Sequence, residues 1–439
     1  MHRNMGNLTK YTLEGAEARC HFLGRTDKSC MDLMDVVEAV DPVSGQKYTR
    51  LRQARALDEQ SLKEYLHSVD FKMRVAIIHQ AHSWAPLQIS EPMLGVFTNW
   101  TNAMEDVCHL VDSFRLQRSE VDEAFSVCAW KPQPALHELA YLLSYPEMKG
   151  FDDAFHWVIR KCGLYHQYQL KTKRSTCLFI APNPQTSWAE KIVHAANLEA
   201  HPLRLHTILF DKSLQNWRWY ISNLDHEHHK LASEIMSFEI EKDLDFVNMY
   251  DKLSGLRFVE TRLSPAVPIL AAHAQVLDKL RQWNRELEAH GEIEPGLASA
   301  FVVALDNLAS RVEALERNAK FLLSRIVAPI QMASDTISLK SQKTAEDMSS
   351  RMLLDSVSVR MISIVTLVYL PASFVTSFFG MGFFSIDHDD KSGARWTAHS
   401  IWVYFAVAVP LSALTLAYWK QKCRLGDFYK KERVTAPCV

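Results

Sequence analysis

Hydroxyl-bearing and apolar side chains share one helical face of an uncharged segment near the carboxyl end of the chain. The members of this stripe follow one another at intervals of three or four residues: Ile362, Thr366, Leu370, Ser373 and Ser377. Such a face suits either close helix packing or the wall of a water-filled pore, and the pattern alone does not separate the two. Leu370 and Ile362 could form apolar constrictions that close a pore by dewetting.

The same stripe continues toward the amino terminus into polar sequence, through Met348, Met352, Asp355 and Val359. An acid in a helical seam is unfavourable unless it faces water, a cation or a polar partner. A ring of Asp355 carboxylates at a pore mouth would concentrate cations. The alternative is a solvated residue of a helical stalk, and the sequence leaves both interpretations open.

Two apolar runs predict transmembrane helices. No charged side chain lies between Arg360 and Asp387, and a second uncharged run spans Ser400–Trp419. About 20 residues at about 1.5 Å per residue cross a hydrocarbon core of about 30 Å, so both runs are long enough. The alternative, a pair of buried core helices, is disfavoured because soluble helices rarely avoid charge on every face.

Basic residues near the span ends predict the orientation. Arg351 and Arg360 precede the first span, and six basic residues follow the second span: Lys420, Lys422, Arg424, Lys430, Lys431 and Arg433. The connecting loop instead carries three acids that could attract cations: Asp387, Asp389 and Asp390. We therefore expect a multi-pass integral membrane protein with both termini on the cytoplasmic or matrix side.

The composition excludes several broad classes. The chain has 439 residues, with 49 Lys plus Arg and 51 Asp plus Glu, so its formal net charge is −2 and we expect no nucleic-acid partner. Eight scattered cysteines form no Cys-x-x-Cys pair, which argues against a zinc ribbon and a disulfide scaffold. The sequence contains no Gly-rich phosphate loop, nucleophile elbow or His-Glu-x-x-His motif, and we expect the chain not to be an enzyme.

The soluble part reads as an α/β domain followed by a helical stalk. Strands are predicted at Arg74–His79, Thr176–Ala181 and Leu203–Phe210, and helices at Ser61–Ser68, Glu91–Leu110 (with Ser90 as N-cap) and Thr186–Leu198. A helix is also predicted at Leu270–His290, which can fold back on a long helix from Ala298 to Phe379. That long helix carries a heptad seam, and Pro329 should kink or interrupt it. The seam residues are Phe301, Leu305, Leu308, Val312, Leu315, Ala319, Leu322 and Ile326.

These patterns divide the chain into six segments. They are a soluble α/β cytosolic domain (1–250), a helical stalk or coiled coil (251–360), transmembrane helix 1 (361–384), an acidic external loop (385–399), transmembrane helix 2 (400–419) and a basic cytosolic tail (420–439). The predicted fold class is thus an α/β cytosolic domain plus a long α-helical stalk and two C-terminal transmembrane helices.

Two clusters in the soluble part invite a chemical interpretation. In Asp225–His229, His226 and His229 are one helical turn apart and could ligate a metal, although a solvated helix is the more common arrangement. The aromatic run Asn216–Tyr220 could stack bases, but no basic surplus surrounds it, so buried packing is favoured.

The sequence around the first span resembles the CorA-type divalent-cation transporters. The similarity lies in Thr366–Phe374 (TLVYLPASF) and in Phe379-Gly380-Met381, where that family carries a mid-helix proline and a terminal Gly-Met-Asn signature. Ser83–Ser90 (SWAPLQIS) and Asn216–Tyr220 (NWRWY) are similar to segments of fungal CorA-like proteins. The resemblance covers mainly residues 300–420 and is weaker in the amino-terminal part.

The resemblance implies a homopentamer in which the first spans line the pore and the second spans form an outer ring. Leu370 and Ser373 match pore-lining positions, and Gly380, Met381 and Gly382 occupy the selectivity filter at the outer mouth. The family's asparagine, which contacts the hydrated cation, is replaced here by Gly382. Glycine has no side-chain amide to hold the water shell that Mg²⁺ sheds reluctantly.

The expected function is therefore passive, CorA-type transport of a divalent metal ion, with Mg²⁺ favoured. A zinc transporter of the same superfamily and a non-transporting, membrane-anchored relative are the alternatives. No cofactor is expected beyond transported or regulatory Mg²⁺, Zn²⁺ or Co²⁺. The expected partners are further copies of the chain, membrane lipid and divalent cations.

Overall fold

The computed structural model describes residues 29–40, 47–68, 70–81, 85–114, 124–148, 157–181, 201–237, 246–379 and 398–434. The chain divides into two compact units, Met1–Asp335 and Thr336–Val439, which are described separately below. The helix Thr186–Leu198 predicted from sequence lies outside the described residues.

A seven-stranded mixed sheet forms the centre of the first unit. Its strands are β1 (Met31–Val40), β2 (Lys47–Ala56), β3 (Met73–His79), β4 (Cys128–Gln133), β5 (Leu136–Met148), β6 (Trp157–Gln169) and β7 (Arg174–Ala181). They lie in the order β2-β1-β3-β7-β6-β5-β4. Only β3 and β7 run parallel to each other, and the remaining neighbours are antiparallel.

The predicted strands Arg74–His79 and Thr176–Ala181 are confirmed as parts of β3 and β7. Sequence reasoning missed the other five described strands. Strand β5 illustrates the reason, because its residues from His137 to Pro146 are all buried and the polar–apolar alternation of a half-exposed strand is absent.

Three short helices cover one face of the sheet: α1 (Glu59–Ser68), α2 (Glu91–Thr101) and α3 (Asp106–Asp112). Helix α1 confirms the predicted helix Ser61–Ser68, and Ser90 caps α2 by accepting a hydrogen bond from the Met93 N–H. The prediction of one helix over Glu91–Leu110 is wrong. The chain leaves the helix at Asn102, whose φ of 49° is left-handed, and a second helix starts at Asp106.

The opposite face is covered by α4 (Arg204–Leu214), α5 (Trp217–Met236) and α7 (Ala266–Ala289), with α6 (Phe246–Leu263) packed against α5. The predicted strand Leu203–Phe210 is wrong, because this segment lies almost entirely in α4. Its buried residues Leu205, Leu209 and Ser213 recur every fourth position, which is a helical rather than an extended spacing.

Helix α8 (Pro295–Phe379) is the longest in the described residues. Helix α7 confirms the predicted helix at Leu270–His290, and the chain turns back at Gly291, where φ is +69°. The fold-back is visible in two links between α7 and α8: Arg281 pairs with Asp306, and Asn284 donates a hydrogen bond to the Ala298 carbonyl.

The predicted heptad seam is buried in the first unit, except for Leu315, which is half-buried. The expected interruption at Pro329 is not observed, since α8 continues through it to Phe379. A proline removes only one backbone donor, and Ile326 and Ile330 on either side are buried in the seam. Hydrophobic packing therefore keeps the helix intact across this position.

Candidate functional site

The carboxyl-terminal part of α8 contains the candidate site. The chain has no glycine between Gly296 and Gly380, so no residue of low helix propensity other than two prolines divides the segment. A helix also satisfies its own backbone hydrogen bonds, which is required in a hydrocarbon environment. The sequence thus places the whole hydroxyl stripe on one rigid element.

Within the described part of the chain, one helix is long and apolar enough to cross a membrane, by length and composition, and that helix is α8. The apolar stretch that meets this criterion is largely exposed, as only 11% of it is buried. The second predicted span, 400–419, lies in helix α9 (Ala398–Val434) and stays a prediction.

One side of the first span faces α9 within the second unit. Pro371 and Val375 are buried, and Ala408 of α9 is buried as well. The Tyr404 hydroxyl of α9 donates a hydrogen bond to the Ala372 carbonyl over 3.3 Å. Residues one turn apart on this side of α8 are therefore packed against the second helix.

The opposite side carries the predicted stripe, and all of its predicted pore-lining members are exposed: Ile362, Thr366, Leu370, Ser373 and Ser377. Asp355 and its stripe neighbours Met352 and Val359 are exposed too. The structure thus brings the predicted pore-lining residues and Asp355 onto one face of one helix, and that face is not the one that meets α9.

The hydroxyl groups on α8 fall into two classes. The Thr366 hydroxyl donates to the Ile362 and Ser363 carbonyls over 3.1 and 3.0 Å, so the helix itself satisfies it. Among the described residues, the Ser373 and Ser377 hydroxyls have no hydrogen-bond partner. Two hydroxyls on the exposed face can therefore interact with water, a hydrated cation or a neighbouring helix.

The remaining predicted site residues belong to the segment between α8 and α9. The predicted filter (Gly380, Met381 and Gly382) and the predicted loop acids (Asp387, Asp389 and Asp390) lie outside the described residues. Their roles stay predictions.

The two clusters of the first unit form no metal site or open aromatic platform that the described residues show. Helix α5 exposes His226 and His229, while Asp225 contacts Arg325 over 3.2 Å. No group of three His, Cys, Asp or Glu residues in the described part of the chain is arranged to hold a metal ion. In the aromatic run, Trp217 and Tyr220 are buried, which confirms the packing interpretation for these two residues.

Sequence reasoning missed a buried ion pair in the first unit. Arg74 binds the Asp35 carboxylate through two hydrogen bonds of 2.8 Å, and both side chains are fully buried. Tyr65 donates a third hydrogen bond to Asp35, and burial together with this carboxylate raises the pKa of Tyr65 to about 12. The sequence predicts a strand that begins at Arg74, but it does not show that Arg74 is buried or which acid it meets, so no signal pointed to this pair.

A second buried acid, Asp32, lies on β1, which is also the strand of Asp35. Asp32 accepts hydrogen bonds from Arg55 and contacts His79 Nε2 over 3.0 Å. Burial opposes ionisation of this carboxyl group, yet the bonds from His79 and Arg55 outweigh it and hold the pKa of Asp32 well below its usual range. The pairs of Asp32 and Asp35 stabilise the β1–β3 region rather than forming an open site.

The sequence matches a known family over part of the sheet domain. Residues 134–236 match the CorA-like family, described as CorA-like transporters. This match includes the Asn216–Tyr220 segment, but it lies in the first unit, whereas the resemblance in the sequence lies mainly over residues 300–420. The match supports the resemblance to the CorA-like superfamily.

A curated relative comes from Aspergillus versicolor, where it is called notoamide biosynthesis cluster protein M′. It is 27% identical over 246 residues, which are 53% of this chain and 52% of the relative. The aligned region therefore spans about half the length of that relative.

Three solved structures are similar at low identity. The full-length CmaX protein gives a TM-score of 0.42 at 12% identity, over 91% of this chain and 99% of that chain. The soluble domain of CorA from Methanocaldococcus jannaschii gives 0.34 at 13% identity, over 70% and 95%. The ZntB cytoplasmic domain from Vibrio parahaemolyticus gives 0.32 at 10% identity, over 70% and 99%.

Proposed function

We propose that this protein is a membrane transporter of divalent cations, of the CorA type, that conducts Mg²⁺ passively through a pore formed by several copies of the chain. The observation that carries the proposal is the two-sided character of the first span. One side meets α9, and the other exposes hydroxyl and apolar residues in a continuous stripe. The family match over residues 134–236 supports the same assignment.

The chemistry of the exposed stripe suits a cation path. The Ser373 and Ser377 hydroxyls, which have no hydrogen-bond partner among the described residues, can replace part of a water network around a hydrated ion. Leu370 and Ile362 can constrict and dewet the path when it closes. Asp355 lies on the same face, just before the apolar segment. A ring of these carboxylates would raise the local concentration of cations at the inner mouth.

A pore needs several first spans, because one helix cannot enclose water. Five copies would place five stripes around one axis and leave each α9 outside. In this arrangement the face of α8 that contacts Tyr404 points away from the axis, and the exposed stripe points toward it. The homopentamer is thus part of the proposal.

Gly382 favours a weaker selectivity than a Gly-Met-Asn filter would give. A ring of glycines offers only backbone carbonyls, so discrimination between Mg²⁺, Zn²⁺ and Co²⁺ depends on the acidic loop and the pore width. For this reason a zinc transporter of the same superfamily is the second candidate. A membrane-anchored relative without transport is the third.

The test is cation entry into liposomes that contain the purified full-length chain. We expect Mg²⁺ entry above that of empty vesicles and a pentamer mass in detergent. Entry of Zn²⁺ alone would favour the second candidate. Absence of entry for Mg²⁺, Co²⁺ and Zn²⁺, with Gly382→Asn unable to restore it, would overturn transport and favour the third.

A matched pair of variants tests the assigned face. Ser373→Leu replaces a free hydroxyl on the stripe by a larger apolar group, and we expect it to reduce Mg²⁺ entry severalfold. Val368→Leu introduces the same side chain at an exposed position off the stripe and should leave entry unchanged. Equal effects of the two variants would contradict the assignment of this face to the pore.

A further inference from the structure

Four buried histidines meet between the sheet and its second helical layer. They are His137 on β5, His166 on β6, His201 just before α4 and His206 on α4, each no more than 5% exposed. Trp283 of α7 lies among them, with its ring centroid 4.9 Å from that of His166 and 5.9 Å from that of His206. We call these four residues the histidine cluster.

Two hydrogen bonds link His206 of α4 to the sheet. The Tyr141 hydroxyl lies 2.7 Å from His206 Nδ1, and His206 Nε2 lies 2.9 Å from His166 Nδ1. A neutral His206 donates through one ring nitrogen and accepts through the other, which fits this chain in either direction. Only one proton can lie between His206 Nε2 and His166 Nδ1. If both rings were fully protonated, two N–H groups would therefore face each other and repel.

His201 joins the cluster to helices α7 and α8. Its Nδ1 accepts a hydrogen bond from the Leu203 N–H over 3.0 Å, so its Nε2 carries the proton and donates to Asn284 Oδ1 over 2.9 Å. Asn284 in turn donates to the Ala298 carbonyl of α8. The His201 ring also stacks on Phe301 of α8 at 4.2 Å, so a second proton on His201 would break a bond at this junction.

Few ionisable groups face the cluster in the described part of the chain. Glu286 and His290 of α7 lie beside His137 and act on its pKa in opposite directions. The other nearby groups are Tyr141 on β5 and the thiols of Cys128, Cys162 and Cys177 on β4, β6 and β7. Burial raises the pKa values of Tyr141 and of these thiols, so they stay uncharged in acid.

The opposite face of the sheet is built differently. There, buried charges have partners, as in the Arg74–Asp35 pair and in Glu138, which accepts hydrogen bonds from Tyr165 and from the Met104 N–H. In the described part of the chain, the carboxylate that acts on a member of the histidine cluster is Glu286, and it acts on His137. A positive charge on His166, His201 or His206 therefore remains uncompensated.

We propose that the histidine cluster is an acid-sensitive latch, which holds α7 and the first turns of α8 on the sheet at neutral pH and releases them when the pH falls. Release makes room for water around the protonated rings. Because α8 also carries the exposed stripe, the latch would make transport sensitive to pH on the side of the soluble domain. This last consequence rests on the proposed function, whereas the latch itself does not.

The direction of the effect follows from linkage. Burial lowers the pKa of His166 to about 3 and also lowers the pKa values of His137, His201 and His206. His273 is buried on α7 against Phe210 and Trp217, and burial lowers its pKa to about 3 as well. The packed form therefore binds fewer protons than the released form below pH of about 6.5, the ordinary histidine value, and its advantage shrinks as the pH falls. Each of these five histidines that becomes exposed can shift the ratio of released to packed molecules by up to about tenfold per pH unit.

The experiment is hydrogen exchange of the full-length chain in detergent at pH 7.5 and 5.5, corrected for the intrinsic pH dependence of exchange. The population of the open form should rise strongly for peptides from α4, α7 and the first turns of α8, by up to about tenfold for each histidine that becomes exposed, because the step extends about one pH unit below the ordinary histidine pKa. Peptides from α1 and α2 should change far less. Equal opening of both layers, or no change in α7, would overturn the latch.

A variant with two titrating rings removed provides the sharper test. The variant His166→Gln plus His201→Asn removes two of the five buried histidines, so the same pH step should open α7 by up to about a hundredfold less than in the wild type. The comparison uses the ratio between the two pH values, so a lower stability at pH 7.5 does not obscure it. As the matched control, His226→Asn plus His229→Asn removes two exposed histidines of α5 and should keep the wild-type ratio. A double cluster variant that keeps the full ratio would contradict the proposal.

Liposome flux at the two pH values separates the latch from the proposed function. If wild-type flux responds to acid on the side of the soluble domain and the cluster variant does not, the latch regulates transport. Flux that responds identically in both proteins would overturn the regulatory link. Absence of any flux would overturn the proposed function, and hydrogen exchange would still decide the latch.

Discussion

The two parts of helix α8 carry the same spacing of three and four residues, but they differ in what covers them. From Phe301 to Ile326 the seam is buried almost throughout, and α7 folds back along its beginning. From Met352 to Ser377 the stripe is exposed at every predicted position. A single helix thus contains one face that other described residues cover and one that the described residues leave exposed.

This difference bears on how heptad patterns are interpreted. A seam of apolar residues predicts a partner, but not whether the partner is the same chain or another copy. In the first unit, other residues of the same chain cover the seam. In the second unit α9 packs on the other side of α8, and no residue in the described part of the chain covers the stripe.

The largest predicted effect comes from the buried seam. Leu305→Ala removes a fully buried side chain, and we expect it to destabilise the packing of α7 and α8 by about 2–5 kcal/mol. Met352→Ala on the exposed stripe should change local stability by less than about 0.5 kcal/mol in the monomer. Hydrogen exchange of both regions in the full-length chain measures these free energies, and equal losses would contradict the contrast between the two parts.

The next effect concerns two leucines that are about equally exposed on different helices of the second unit. Leu370 on the stripe is 71% exposed, and Leu414 on α9 is 68% exposed. If Leu370 lines a path that closes by dewetting, Leu370→Asn should hydrate it and raise cation entry into liposomes severalfold. Leu414→Asn makes the same substitution away from the stripe and should leave entry nearly unchanged. A larger change in cation entry for Leu414→Asn than for Leu370→Asn would indicate that α9, and not α8, lines the cation path.

The sequence was informative where side-chain pattern reflects solvent exposure and less so where burial is complete. The seam was predicted because it recurs every three or four residues between polar positions, and the span was predicted because it lacks charge over its whole length. Strands such as β5 were missed because both of their faces are covered. Leu203–Phe210 was read as a strand because its helical pattern is short and continues only beyond residue 210, to Leu214.

The candidate site was predictable to the extent that it lies on one helix. The spacing alone assigns Asp355, Thr366 and Ser373 to a common face. The pairing of Asp35 with Arg74 joins residues 39 positions apart and has no local signature. The same holds for His166 and His206, which meet only because β6 and α4 pack together.

A smaller effect is expected from the acid on the stripe. Asp355→Ala removes a charge from the proposed ring and should lower cation entry by about two- to tenfold, with the larger effect at low ionic strength because salt screens exposed charges. Glu346→Ala is the matched control. Glu346 lies nine residues before Asp355, which is about two and a half helical turns, so the two side chains lie on opposite sides of the helix. Unchanged entry in Asp355→Ala, or an equal loss in both variants, would identify Asp355 as ordinary stalk surface.

The smallest effect should come from the ion pair between α7 and α8. Arg281 lies 2.8 Å from Asp306, and Asp306 is more than half exposed, so water and salt screen the pair. We expect Arg281→Ala to destabilise the fold-back by about 0.2–1 kcal/mol, measured by hydrogen exchange of α7, with the coupling to Asp306→Ala obtained from a double-mutant cycle. Because this value is well below that for Leu305→Ala, burial of the seam rather than charge holds the two helices together. A coupling above about 2 kcal/mol would reverse that order and make the pair the main link between α7 and α8.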